Sequence, residues 1–244
     1  MGKLESVATL MELEWDTAFF GVSSAKCTLS QPIERNNWLK LLSQFNNYHF
    51  VSINNMNSDP TNARLIGQDT SAFLVDVNIQ FEKKILSLVE IPKNIIIRQS
   101  LEENKQIIQM ANFEFSKFTQ DPELSKRGGD LVYQNWLMNS FGKTDKFYAL
   151  SKNNKGFLNG FLLFSYTSGT CVIELIAVSQ EEVKGGIGSS LFKAVEHYCY
   201  KNEIKVIKVG TQIRNQSAIN FYHKVGCKQV GCHQIYHLWN QSFN

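Results

Sequence analysis

Apolar residues recur in two rhythms along the 244-residue chain. Residues 171–178, CVIELIAV, form an apolar, β-branched run broken by one charge, Glu174, and read as a strand buried on both faces. A polar connector, 179–184, leads to Gly185-Gly186-Ile187-Gly188 and then SSLFKAVEHYCY, where Leu191, Ala194, Val195 and Tyr198 share one helical face. Downstream, VIKVGTQIRNQSAINFYHKVGCKQVG repeats the order: strand 206–211, loop, helix, strand.

The earlier chain follows the same grammar. A short helix is expected over 38–45, a strand over 49–53, a polar turn-rich stretch NNMNSDPTN, then a strand over 71–81 whose Phe73, Val75, Val77 and Ile79 alternate. Spacing of Ile107, Ile108, Ala111 and Phe115 predicts a helix over 102–118, stopped by a loop at 119–126 that contains Asp121-Pro122. A second helix is expected over 130–141, and strands 146–151 and 158–166 are joined by the hairpin turn NNKG. Strand, helical link, strand in the first part loosely echoes 206–238, as a partial duplication or as generic α/β organisation. A boundary near Pro92 divides the chain into units 1–95 and 96–244.

Composition adds exclusions. With 43% hydrophobic and 19% charged residues the chain suits a globular protein, and a net charge of +3 without a basic block argues against nucleic acid. No apolar run nears the ~18 residues of a membrane span, and MGKLESVATL lacks an apolar signal segment, so no membrane partner is expected. Five cysteines without a C-x-x-C suggest free thiols in a reducing, cytoplasmic setting. No histidine has a metal-ligand partner at useful spacing, so no metal is expected. A homodimer is compatible with the chain.

Strand, glycine turn and helix together make a phosphate cradle, because glycine bares its N–H groups and a helix start has unpaired N–H groups and a positive dipole end. Lys184 and Ser189 could assist. A P-loop wants Lys-Ser/Thr after its last glycine, and Gly188 is followed by Ser189-Ser190. A dinucleotide fingerprint wants its first glycine at the strand end, and here about five polar residues intervene. What VKGGIG does resemble is the acetyl-CoA signature Q/R-x-x-G-x-G/A of the GNAT acetyltransferase superfamily, with Val183 at the Gln/Arg position. The later segment resembles that superfamily's N-x-x-A-x-x-F-Y-x-K-x-G-F through Asn215, Ala218, Phe221, Tyr222, Lys224 and Gly226, with Cys227 for Phe.

The resemblance implies an α/β (α+β) GNAT fold: a mixed, mostly antiparallel sheet flanked by helices, the smaller N-terminal unit forming a partial repeat. It implies acetyl-CoA as co-substrate, held by Ile176, Ala177, Val178, Val183, Lys184, Gly185, Gly186, Ile187, Gly188, Ser189, Asn215, Ala218 and Tyr222. Direct attack by an amine requires an oxyanion donor, assigned to the Val178 N–H, and a proton for the thiolate, assigned to Tyr222. Glu174, expected to share a face with Ile176 and Val178, is either a base acting through water or a buried, paired acid.

Further segments narrow the acceptor. WDTAFFGVSSA, FEFSKF with YQNWLMNSF, and VGTQIRNQSAINFY resemble the dTDP-fucosamine N-acetyltransferases of that superfamily, which acetylate the 4-amino group of a nucleotide-linked deoxysugar. The N-terminal unit would then cover a bulky acceptor, with Phe19, Phe20, Phe118 and Gln212 as contacts and Trp15 as core. Two alternatives stand beside this reading: a GNAT enzyme acting on another small amine or a protein amine, and a CoA-binding regulator without activity.

Overall fold

The computed structural model describes residues 7–179 and 185–240. In chain order it runs β1 (Ala8–Glu12), α1 (Glu14–Phe20), β2 (Ser24–Leu29), α2 (Arg35–Phe45), β3 (Phe50–Asn55), α3 (Pro60–Asp69), β4 (Phe73–Lys84) and β5 (Ile95–Gln99). It continues through α4 (Lys105–Met110), α5 (Lys117–Gln120), α6 (Pro122–Lys126), α7 (Val132–Ser140), β6 (Phe147–Lys152), β7 (Leu158–Thr167) and β8 (Thr170–Val178). The last elements are α8 (Ile187–Lys201), β9 (Val206–Gln212), α9 (Gln216–Lys224) and β10 (Lys228–Trp239).

All the strands join one sheet, in the order β1-β2-β3-β10-β4-β9-β8-β7-β6-β5. Among the described residues only β2/β3 and β8/β9 pair in parallel, each pair linked through a helix, as parallel neighbours require. The sheet crosses the expected boundary at residue 95 unbroken. β4, from the first part, lies against β9, and β10, from the last, lies against β3, so each part places its final strand beside the other's.

One face of the sheet carries α8 and α9 over Phe81, Phe164 and Ile207, and α2 and α3 over Val51, Ile53 and Leu238. The opposite face carries α4 and α7 over Tyr148, Phe161 and Leu175. Also on that face, Phe20 of α1 packs with Phe50, Leu124 and Val132.

The helix expected over 102–118 is instead broken between α4 and the start of α5, and α6 follows within the stretch expected as a loop. Asn104, Ser116 and Asp121 each turn a side-chain oxygen back to N–H groups two or three residues on, so each starts a new helix. Pro122 occupies the first turn of α6, where its missing N–H costs nothing, and the expected loop is partly helical. The stretch read as turns, 54–62, holds the same device: Asp59 caps α3 and Pro60 opens it. In β4 the alternation slips at Val75, because Asp76 faces Ile235 while Leu74 faces Tyr236. Val77, Ile79 and Phe81 stay in the core and Phe73 is left 40% exposed.

Candidate active site

The site begins with a ladder that stops early. β8 pairs with β9 only from Thr170↔Val206 to Val172↔Lys208, and beyond that the two strands part. On its other side β8 stays paired with β7 to Gly160↔Val178. Ser179 N–H donates to Asn159 O at 2.9 Å, so Gly160 and Val178 form the alternate pair that exchanges no hydrogen bonds. The Val178 N–H therefore points away from β7, into the gap left by β9.

Where the ladder stops, β8 carries an extra residue. Leu163 faces Leu175 and Phe164 faces Ile173, which leaves Glu174 as a bulge. One inserted residue reverses the alternation: Ile173, Ile176 and Val178 pack on the α8 face, Leu175 and Ala177 on the α4 face. This corrects the expected placement of Glu174, which does not share a face with Ile176 and Val178. Its carboxylate accepts from Lys146 Nζ (2.6 Å), Ser165 Oγ (2.6 Å) and Trp136 Nε1 (3.1 Å). Both oxygens are engaged, and Glu174 lines neither cleft beside Val178. It is the paired acid of the two readings.

Residues 176–178 form the wall shared by two clefts of about 530 Å³ each. The first is completed by Gly186, Gly188, Ser189, Asn215, Ala218, Phe221 and Tyr222. Helix α8 opens at Gly186, whose φ of +77° is a conformation natural to glycine. A Cβ on Gly188 would stand 3.2 Å from the Phe221 ring, so glycine there lets α9 close on α8. A Cβ on Gly160 would stand 2.8 Å from Ile187 Cγ2, so that glycine seats the first turn of α8 on the sheet. Asn215 caps α9, accepting from Ala218 N–H at 3.0 Å. Two helix starts thus flank one cleft, a setting suited to phosphate oxygens.

Tyr222 borders this cleft although only 3% of it is exposed, and it packs on Phe81 and Phe221. Burial, with a smaller push from Cys227, raises its pKa, so the phenol is protonated at neutral pH. Gly185 is exposed and lies outside the cleft lining, and the Ile187 side chain belongs to the core. Val183 and Lys184 lie outside the described residues. The second cleft, on the α4 side, is lined by Gln106, Gln109, Met110, Asn112, Phe113 and Leu158.

The sequence reading did not single out Asp76. It stands beside Gln212 at the end of β9, in a narrow crevice with Ser116, Lys117 and Arg214. Burial pushes its pKa up to about 6, against the Val77 N–H and Lys117, which favour the charged form. In FLVDVNIQF an acid on the polar phase of an amphipathic strand looks like a solvent-facing residue. Only the helices folded over that face make it a half-buried carboxylate.

The aromatic contacts redistribute. Phe20 is 3% exposed and is a core residue, contrary to its expected role, because α1 turns it under α6 and α7. Trp15, expected in the core, is 38% exposed and borders a third cleft together with Phe118. Phe19 stacks on Trp15 at 4.7 Å and meets Phe20 edge-on at 5.0 Å. Among the described residues there is no cluster of metal-ligating side chains and no helix long and apolar enough to cross a membrane.

Comparison with known proteins bears on the family and the fold. The model of the Acetyltransferase (GNAT) family matches residues 105–227. Over 128 residues the chain is 25% identical to the spore coat polysaccharide biosynthesis protein SpsD of Bacillus subtilis, covering 52% of this chain and 44% of that protein, less than half its length. A GCN5-related N-acetyltransferase from Sphaerobacter thermophilus overlays 96% of this chain and 76% of its own at 13% identity, TM-score 0.64. One from Kribbella flavida overlays 95% and 87% at 9% identity, TM-score 0.66. A tandem GNAT protein from the clavulanic acid biosynthesis pathway overlays 88% and 75% at 12% identity, TM-score 0.57.

Proposed function

Because the chain belongs to the GNAT acetyltransferase family, we propose that it transfers an acetyl group from acetyl-CoA to the amino group of a nucleotide-linked amino-deoxysugar, a surface polysaccharide precursor, in the cytoplasm. The observation that carries the reaction type is the parted β8/β9 pair, which leaves the Val178 N–H facing a gap between two clefts. The sugar reading draws on the partial match to SpsD and on the resemblance in WDTAFFGVSSA. Residues 1–95, more than an acetyltransferase domain requires, serve in this reading to hold the acceptor.

The residues present fit acetyl-CoA. Backbone N–H groups at the starts of α8 and α9 would hold its phosphates, with Ser189 and Asn215 beside them and Gly186 and Gly188 keeping the approach clear. Bound, it supplies a thioester whose carbonyl carbon an amine can attack and whose sulfur departs as a thiolate. Val178 offers its N–H to the carbonyl oxygen, and an aligned donor of this kind contributes about 10²–10³ in rate. Tyr222 holds its proton at neutral pH and is the donor to the sulfur. Asp76 takes the place first given to Glu174. A carboxylate with a pKa near 6 is ionised at neutral pH and still basic enough to take the proton that the substrate ammonium must lose before its neutral amine attacks.

The test is a panel of nucleotide-linked amino sugars, free amino sugars and lysine peptides with acetyl-CoA, followed by release of free thiol and product mass. Acetylation of a nucleotide-linked sugar with kcat/KM at least about 10² above the free sugars and peptides supports the proposal. A preference for a peptide or a free amine overturns the sugar assignment.

A further inference from the structure

The third cleft, of about 380 Å³, runs between α1 and α7 and has an unusual combination of walls. Two indoles face it. Trp15 is pinned on one side by its stack on Phe19, and Trp136 is held by its Nε1–H to Glu174 and its stack on Tyr133. They remain 38% and 41% exposed, so each keeps ring surface toward the cleft. Between them are three lysines. Lys146 is committed to Glu174. Lys26 and Lys117 make no ion pair or side-chain hydrogen bond among the described residues, and the Lys117 ammonium rests 5.0 Å over the Phe118 ring. Asp16 is the one carboxylate lining this cleft among the described residues, and burial, opposed by Lys117 and Lys26, raises its pKa.

Fixed flat rings around two unpaired ammonium groups match a ligand that has a base at one end and several phosphate oxygens beside it. The cleft also has a direction. Lys117 lines both it and the crevice that holds Asp76 and Gln212. A ligand with its phosphates at Lys117 would extend its far end toward Asp76 and the β8/β9 gap. We propose that this cleft binds the nucleoside diphosphate part of the acceptor, with the base against Trp15 and the phosphates at Lys26 and Lys117. The proposal rests on the acetyl-transfer reading above and gives its acceptor a separate subsite, away from the two helix starts assigned to acetyl-CoA.

Titration calorimetry on the full chain tests it with uridine diphosphate, thymidine diphosphate, inorganic pyrophosphate and acetyl-CoA as separate ligands. A nucleoside diphosphate should bind to the protein already saturated with acetyl-CoA. Lys26→Gln and Lys117→Met should each raise its Kd about tenfold or more, and Trp15→Ala by about tenfold, with acetyl-CoA affinity kept within about twofold. Lys26→Gln, at a half-buried strand position, carries the test if Lys117→Met folds poorly. Pyrophosphate binding as tightly as the nucleoside diphosphates overturns the stacking assignment. Failure of both nucleoside diphosphates to bind at millimolar concentration, with acetyl-CoA bound and a free amino sugar acetylated, overturns this proposal and leaves the acetyl-transfer reading standing. Failure of acetyl-CoA to bind would instead remove that reading.

Discussion

Two parts of the molecule are built in the same order and behave oppositely. β2-α2-β3-α3-β4 and β8-α8-β9-α9-β10 each consist of a parallel strand pair bridged by a helix, then a second helix and a final strand. The final strands are exchanged, β4 lying against β9 and β10 against β3. In the first part the parallel pair is zipped along its whole length, Ser24↔Phe50 to Leu29↔Asn55. In the second it stops at Val172↔Lys208, one residue before Ile173 and two before the bulge at Glu174. An extra residue bends and twists the strand that carries it. Here Lys146, Ser165 and Trp136 fix that bend from the other side of the sheet. The zipped part spends its backbone N–H groups on the ladder. The parted one leaves the end of β8 free to bind something else, and the glycine start of α8 borders the opening.

If the parted half is the reaction centre, its most sensitive residue is one that the exchanged strand β4 supplies. Asp76→Asn should lower kcat by about 10³, within the usual range for a positioned base. Wild-type kcat/KM should fall on the acid side with an inflection near the Asp76 pKa of about 6, measured with an acceptor whose own pKa is known. Stability should move the other way. The folded protein holds this proton more tightly than the unfolded chain, whose value is 3.8. The cost of the buried charge is therefore absent below pH 3.8, builds as pH rises to about 6, and is full above it. Asp76→Asn should raise Tm at pH 8 and lose that advantage near pH 4. A variant with full activity at pH 8 would place the base elsewhere.

Next in size is Tyr222→Phe. It keeps the ring against Phe81 and Phe221 and removes the proton. The expected loss is about 10²-fold in kcat, since a CoA thiolate leaves tolerably well, with Tm and acetyl-CoA affinity nearly unchanged. Full kcat where chemistry limits turnover would make the tyrosine structural. Smaller still is Gly186→Val. A side chain at φ +77° is strained by roughly 1–2 kcal/mol, so calorimetry should show acetyl-CoA binding weakened about tenfold. The corresponding start of α2, at Glu34, has an ordinary φ of −71°, and Glu34→Val should leave that affinity alone.

These sensitivities also mark what the sequence made legible. The strand over 171–178, the glycine turn and the Asn215-to-Gly226 segment were readable because their chemistry is local: consecutive apolar residues, bare N–H groups, a capping asparagine. The bulge was not, because one extra residue is a property of the pairing with β7 and leaves no mark in CVIELIAV itself. Phase reasoning alone therefore put Glu174 on the wrong face. Trp15 and Phe20 were exchanged for a similar reason. Both follow from the seven-residue α1, whose side chains point by helical rather than extended geometry. Asp59-Pro60 and Asp121-Pro122 were legible as helix starts, and reading the prolines as breaks missed two helices. Asp76 and the lysine cleft depend on helices folding over the sheet and had no local signal.

The finest test makes the same lesion in both halves. Asp59 caps α3 by accepting from Thr61 and Asn62 N–H, and Asn215 caps α9 by accepting from Ala218 N–H. Removing a cap of this kind costs about 1 kcal/mol, so Asp59→Ala and Asn215→Ala should lower stability to denaturant by similar amounts. They should part in binding. Asn215 borders the cleft beside Gly188 and Ser189, whereas Asp59 lines none of the three large clefts. Asn215→Ala leaves a helix start less well ordered where phosphate oxygens are to be held, and acetyl-CoA Kd should rise a few-fold. Asp59→Ala should leave that Kd where it was. Equal changes in Kd would mean that acetyl-CoA senses general stability and not the start of α9. The contrast between the zipped and the parted half would then have no bearing on binding.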